Sequence, residues 1–233
     1  MSDAIRSAND SIEAHIAENQ AARGMGSTVV AAVMAGERMY WTSVGDSPLF
    51  HYRRGKLMQL NEDHSMAPQI DAMARSGLLT ASEAKTHPDR NCLTSAVCGN
   101  DIARMDSRSV AFDLKAGDII VVSSDGLQFL EDPAIERIIH RNRRKPSSDI
   151  ANALLQAVKK LGDPDQDNIS IAVVKVNHIQ PVNRPVRRTN VTTMTFNTTR
   201  LAVEEAIQEI PDTPVDLVDE EELPVALEAG SRS

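Results

Sequence analysis

The chain has 233 residues, enough for one well-buried domain and a tail, and its 41% hydrophobic and 25% charged content are ordinary for a folded protein. The formal charge of −8 is unevenly placed: residues 201–233 hold ten acids and one base, net −9, which leaves residues 1–200 at about +1 and excludes a general nucleic-acid binder. Cys92 and Cys98 are too few and too awkwardly spaced for a disulfide framework or a zinc site, and are expected to be small, reduced packing residues. No apolar run approaches bilayer length and no basic-then-apolar leader opens the sequence, so a cytoplasmic location without membrane contact is expected.

In chain order, residues 3–19 are predicted to form a helix with Ile5, Ala8, Ile12 and Ile16 on one face, Arg6, Asn9 and Glu13 off it, and Gly24 and Gly26 beyond its end. A meander of strands follows: 27–34, 38–44, 48–52 and 57–60, with turns at 35–37, at Gly45-Asp46 and at Arg54-Gly55. Helical spacing returns at 66–76, Gly77 stops it, and Thr80-Ala81-Ser82-Glu83 carries the pattern of a capping box. Strands are predicted at 91–96, 109–114 and 118–123. Ile119-Ile120-Val121-Val122 is apolar on both faces, the mark of a strand covered from both sides. Helices are expected at 133–141 and 147–161, the second capped by Ser147 or Ser148 and stopped by Gly162, and a last strand at 168–176. Doubly covered strands with amphipathic helices predict two packed sheets with helices outside. The domain is placed at residues 1–177, and residues 178–233 are expected to be a polar, acidic, disordered tail.

Three of these strands run into aspartates: Val44-Gly45-Asp46, Ser123-Ser124-Asp125, and Asp165-Gln166-Asp167 just before Asn168. A carboxylate at the rim of an apolar strand leaves the core able to meet a divalent ion, so Asp46, Asp125 and Asp167 are candidate ligands for a hard cation, Mg²⁺ or Mn²⁺. His64 and His87 are read as hydrogen-bonded loop residues. The run Arg141-Asn142-Arg143-Arg144-Lys145 is read as a solvated loop or a docking surface for an acidic segment.

Several pieces in this order resemble the protein phosphatase 2C (PPM-type) family of metal-dependent serine/threonine phosphatases, in its bacterial branch, over residues 1–177. They are Gly24-Met25-Gly26-Ser27-Thr28, Val44-Gly45-Asp46-Ser47-Pro48-Leu49 with Leu60-Asn61-Glu62-Asp63-His64-Ser65, Gly77-Leu78-Leu79-Thr80 through His87-Pro88-Asp89-Arg90-Asn91, Ser95-Ala96-Val97-Cys98-Gly99, Ser124-Asp125-Gly126, and Gln166-Asp167-Asn168. The resemblance implies an α+β fold, a four-layer α-β-β-α sandwich of two mostly antiparallel sheets, N-terminally incomplete here. It also implies two Mn²⁺ or Mg²⁺ ions, a metal-activated water as nucleophile, and no catalytic side chain beyond the metal ligands. Asp125 and Asp167 would each ligate the first metal, Asp46 a weaker third ion, and residues 77–91 would form a flap. Phosphorylated proteins, substrates of a bacterial serine/threonine kinase, would be the partners.

The family's Asp-Gly-X-Gly segment, with its bridging aspartate, has no counterpart in residues 1–233: Asp3 and Asp10 lie in a helical stretch and neither precedes a glycine. Weakened metal affinity and bare sheet edges are expected consequences. Three readings follow: a metal-dependent phosphatase, an inactive phosphatase-like module that binds phosphoproteins or a regulatory partner, and a family cousin in partner-switching control of transcription.

Overall fold

Four layers stack in the order helix, sheet, sheet, helices in a computed structural model that describes residues 1–163 and 168–177. By internal contacts the chain divides into Met1–Val186 and Arg187–Ser233, and every described residue belongs to the first unit. The expected tail, 178–233, lies outside the described residues.

The first sheet is built on β1 (Val29–Ala35) and β2 (Arg38–Val44), antiparallel from Val29 opposite Val44 to Ala35 opposite Arg38. On its other side β2 takes two short strands, β5 (Asp106–Ser107) and β6 (Phe112–Asp113). The second sheet runs β4-β3-β7-β8, with β3 (Leu49–Arg53), β4 (Lys56–Gln59), β7 (Ile119–Ser123) and β8 (Ile171–Lys175), all antiparallel. Helices α1 (Ser2–Glu18), α2 (Ala67–Arg75), α3 (Ala81–Lys85), α4 (Asp132–Asn142) and α5 (Ser147–Lys159), with short 3-10 turns at Gln20–Ala22 and Asp125–Phe129, complete the described elements.

Strand alternation explains the stacking. On β7, Ile119 and Val121 join Phe50 and Tyr52 of β3 in a cluster with Ile135 and Ile139 of α4 and Ile150, Leu154 and Val158 of α5. The intervening Ile120, with Leu49, meets Met39 and Trp41 of β2, so these residues form the seam between the sheets. The reverse face of β2 presents Val44 to Ile5 of α1 and to Val97. β7 is thus apolar at successive positions because it is covered twice, as its sequence predicts. Full burial of each such side chain contributes about 1.5–3 kcal/mol.

Local differences from the sequence reading have identifiable causes. Residues 91–96 are not a strand. They make single bridges, Ser65 to Leu93 and, just beyond, Ser27 to Val97, while the Thr94 N–H and hydroxyl both donate to the His64 carbonyl (2.7 and 2.9 Å), so their hydrogen bonds serve a loop. β1 begins at Val29 because Ser27 is engaged in that bridge. Neither Ser147 nor Ser148 caps α5; Pro146, its φ already near the helical value, holds the N-cap position without a side-chain bond. Asn9 is not on a solvated face. It is buried, its Oδ1 accepting from the Cys98 and Gly99 N–H groups (3.1 and 2.9 Å) and its amide donating to the Asn100 carbonyl, and it pins α1 to that loop. Cys92 is exposed and so packs nothing; Cys98 is half-buried. No helix among the described residues is long and apolar enough to cross a membrane.

Candidate functional site

The loop that carries Asp46 is fixed before the aspartate is reached. Gly45 has φ +100°, and a Cβ there would lie 2.4 Å from Thr28 Cγ2, so both conformation and space require glycine. Its N–H donates to His64 Nδ1 at 3.2 Å and its carbonyl accepts from His64 N–H at 3.1 Å. His64, 1% exposed, is therefore a loop clamp as expected, with its proton on Nε2, 3.8 Å from Glu62. On the far side of Asp46, the hydroxyls of Ser47 and Thr28 meet at 2.7 Å. Asn61 donates to the Ser47 carbonyl and accepts from Leu49 N–H at 2.7 Å.

Asp125 is delivered by β7. Ser123 N–H donates to the Pro48 carbonyl at 3.2 Å, which ties the end of β7 to the Asp46 loop. Ser124 then binds the start of β8: its N–H donates to the Ser170 carbonyl, and its hydroxyl accepts from Ser170 N–H and reaches the Asn168 carbonyl. A short 3-10 turn begins at Asp125, and Gly126 lets the backbone pass so close that a Cβ would meet the Asn168 carbonyl at 2.8 Å. The Asp125 turn and residues 168–170 are thereby neighbours. Asp167 itself lies outside the described residues.

Burial, together with the Asp125 and Asp63 carboxylates facing it, pushes the Asp46 carboxyl up to about 6. Asp46 is 8% exposed, so the charge it carries at neutral pH is poorly hydrated. The structure thus brings together Asp46 and Asp125 from elements nearly eighty positions apart in sequence. It adds Asp63, to which the sequence reading gave no role and whose Oδ1 accepts from Ser65 N–H at 2.9 Å. Nothing in the local run Asn61-Glu62-Asp63-His64 signals that approach. Among the described residues no three His, Cys, Asp or Glu side chains converge tightly enough to hold one ion. The crowded carboxylates nonetheless fit a hard divalent cation in chemistry: oxygen donors only, mutually repelling and partly dehydrated.

The 77–91 segment is tied to α2 and to Glu131 just before α4, and the Arg90 charge is felt by Asp63. α3 starts with the expected capping box between Thr80 and Glu83. Arg90 grips Asp71 of α2 through both terminal nitrogens (2.6 and 3.0 Å), and Lys85 meets Glu131 at 2.7 Å. His87 accepts from Asp89 N–H, a loop role again.

The chain matches no family model. It is 28% identical over 174 residues to the serine/threonine protein phosphatase PstP of Mycobacterium tuberculosis, covering 74% of this chain and 32% of that protein. It is also 28% identical over 163 residues to the protein phosphatase PhpP of Streptococcus pneumoniae, covering 70% of this chain and 63% of that one. The chain therefore spans from a third to under two thirds of these relatives. Among solved structures, the S. agalactiae serine/threonine phosphatase superposes with a TM-score of 0.63 at 29% identity, over 74% of this chain and 68% of its own. The catalytic domain of PstP in complex with two manganese ions gives 0.58 at 25% identity, over 73% and 67%.

Proposed function

We propose that this chain, a relative of the bacterial PPM-type serine/threonine protein phosphatases, hydrolyses phosphoserine and phosphothreonine esters in proteins at a divalent-cation centre to which Asp46, Asp125 and Asp167 contribute oxygen ligands. The observation that carries the reading is the meeting of the Asp46 and Asp125 loops at one end of the sandwich, where burial and mutual repulsion leave Asp46 short of a counter-charge. A cation bound there supplies a water of lowered pKa and offsets charge on the phosphoryl oxygens. Manganese is the ion in the PstP complex, and it is the ion proposed here.

The chain's own residues supply rigidity and charge. His64 and Asn61 hold the Asp46 loop from both sides, so its carboxylate need not be ordered when an ion arrives. Ser124 and Gly126 lock the Asp125 turn against residues 168–170, which holds the Asp125 loop at the end of β7. The Arg90–Asp71 pair stiffens the flap through which a phosphopeptide would approach.

Phosphate release from a phosphothreonine peptide, measured with and without Mn²⁺, tests the proposal. Turnover should require the ion and fall by at least about a hundredfold in Asp125→Ala and Asp167→Ala. Turnover that survives chelation, or both substitutions, overturns it. Peptide binding without turnover under any metal condition establishes instead the reading as a phosphoprotein-binding module.

A further inference from the structure

At the other end of β3 and β7, about 20 Å from Asp125 at the rise of a β-strand, lies a cleft of about 400 Å³. Tyr52, Arg53, Arg54, Lys115, His140 and Arg143 supply its polar lining. The acid in the wall, Asp118, is 1% exposed and fully engaged: Arg53 Nε and Nη2 donate to it at 2.7 and 2.6 Å, Lys115 N–H donates at 2.8 Å, and His51 lies at 3.3 Å. Arg53 and Asp118 cancel, which leaves the three cations Arg54, Lys115 and Arg143. None of the three forms an ion pair among the described residues. Arg143 is nevertheless positioned, its guanidinium donating to the His140 carbonyl at 2.6 Å. Beside it the buried Tyr52 hydroxyl meets His140 Nδ1 at 2.7 Å, a polar pair in the cleft wall. Glu136 of α4 does not line the cleft and accepts from the Leu57 N–H at 2.9 Å, although its charge reaches Tyr52.

A second observation is independent of charge. Arg54 has φ +53°, the one positive value at a non-glycine position among the described residues, and Gly55 follows at +91°. Two left-handed residues in a β3–β4 hairpin are the setting in which asparagine then glycine serves best. Arginine there is strained, and strain kept at a rim position marks a side chain wanted for its chemistry.

We propose that this cleft binds a small, multiply charged phosphate-type oxyanion, with Arg54, Lys115 and Arg143 as its charge partners and Tyr52 and His140 as hydrogen-bonding groups. Guanidinium groups match phosphate oxygens in paired, charge-assisted hydrogen bonds, and the volume lies in the range of small-molecule sites. An extended polyanion gains little beyond the cleft, because Glu37 and Asp113 offset Arg38 in the depression just beyond Lys115. The site is separate from the Asp46–Asp125 end and does not depend on the phosphatase reading.

Titration calorimetry of the full chain with inorganic pyrophosphate, in buffer free of divalent ions, tests it. One pyrophosphate per chain should bind, and Arg54→Asn and Lys115→Ala should each weaken binding about tenfold. Arg54→Asn should at the same time hold or raise the melting temperature, since asparagine accepts the left-handed backbone, so lost binding cannot be put down to lost structure. Asp125→Ala should bind as the parent does. A nucleoside diphosphate arm separates sources: equal affinity shows that the phosphates alone are read, tighter affinity that a nucleotide is. Absence of saturable binding, wild-type affinity in Arg54→Asn, or loss of binding in Asp125→Ala would each overturn the proposal.

Discussion

Replacing Asp46 by asparagine removes a buried charge while keeping the shape of the loop. Asp46 stands at about 6 instead of its ordinary 3.8, and at roughly 1.4 kcal/mol per pH unit this corresponds to about 3 kcal/mol of strain in the ionised folded state. The sign follows from proton binding. Because the folded carboxyl holds its proton to higher pH than the unfolded one, stability drops as pH rises from 3.8 to about 6 and stays reduced above that. The asparagine amide does not ionise, so metal-free Asp46→Asn should be the more stable protein at pH 7.5, by about 2 kcal/mol after local relaxation and hydration. The difference should fade to nothing near pH 3.5. Urea unfolding in EDTA measures it, read by Trp41, the single tryptophan, which is 2% exposed and packs edge-on against Phe112. With a slope near 2 kcal/mol per molar urea the midpoint moves by about 1 M. A variant less stable than the parent at pH 7.5, or a gain unchanged at pH 3.5, would refute the claim that burial and the neighbouring carboxylates raise Asp46.

Other perturbations have equally definite outcomes. Mn²⁺ at roughly a hundred times its dissociation constant should stabilise the parent by about 3 kcal/mol, about 6–12 °C in Tm, and Asp125→Ala should lose most of that gain; differential scanning fluorimetry reads this without any turnover. Gly45→Ala should lower stability by about 3 kcal/mol or more in chemical unfolding, because alanine meets both an unfavourable φ and Thr28 Cγ2. Burial raises the Asp118 carboxyl, but the Arg53 hydrogen bonds, the Lys115 N–H and His51 outweigh it and hold the group below 3.8. Its contribution is complete above 3.8 and is lost as pH falls further, so Asp118→Asn should be destabilised at pH 7 by about 2 kcal/mol and should converge on the parent in acid. His51 moves the same way for a different reason. Burial holds it below 6.5 despite Asp118, so its contribution is full above 6.5 and declines as the ring protonates, which His51→Gln should abolish in a pH series of melts.

What the sequence by itself determined lies within a few residues of each signal. The aliphatic run at Ile119–Val122 set a strand covered twice, Thr80 and Glu83 set the start of α3, and aspartates placed after apolar strands marked Asp46 and Asp125 as rim residues. Each of these is written in neighbouring side chains and needs no partner to be read. Convergence needed the tertiary structure. Asp63 faces Asp46 because His64 and Asn61 fold their loop back on Gly45 and Ser47. The segment 91–96 is a loop because Ser65 and His64 take its hydrogen bonds. Asn9 is buried because residues 98–100 need its amide. The cleft lined by Arg54, Lys115 and Arg143 exists because β3, the turn before β7 and the end of α4 meet at one edge. The physical reason is common to all four. A strand rim or a helix cap is a local minimum of the backbone, whereas the company a charge keeps is fixed by pairings between distant segments, which no short window of sequence contains.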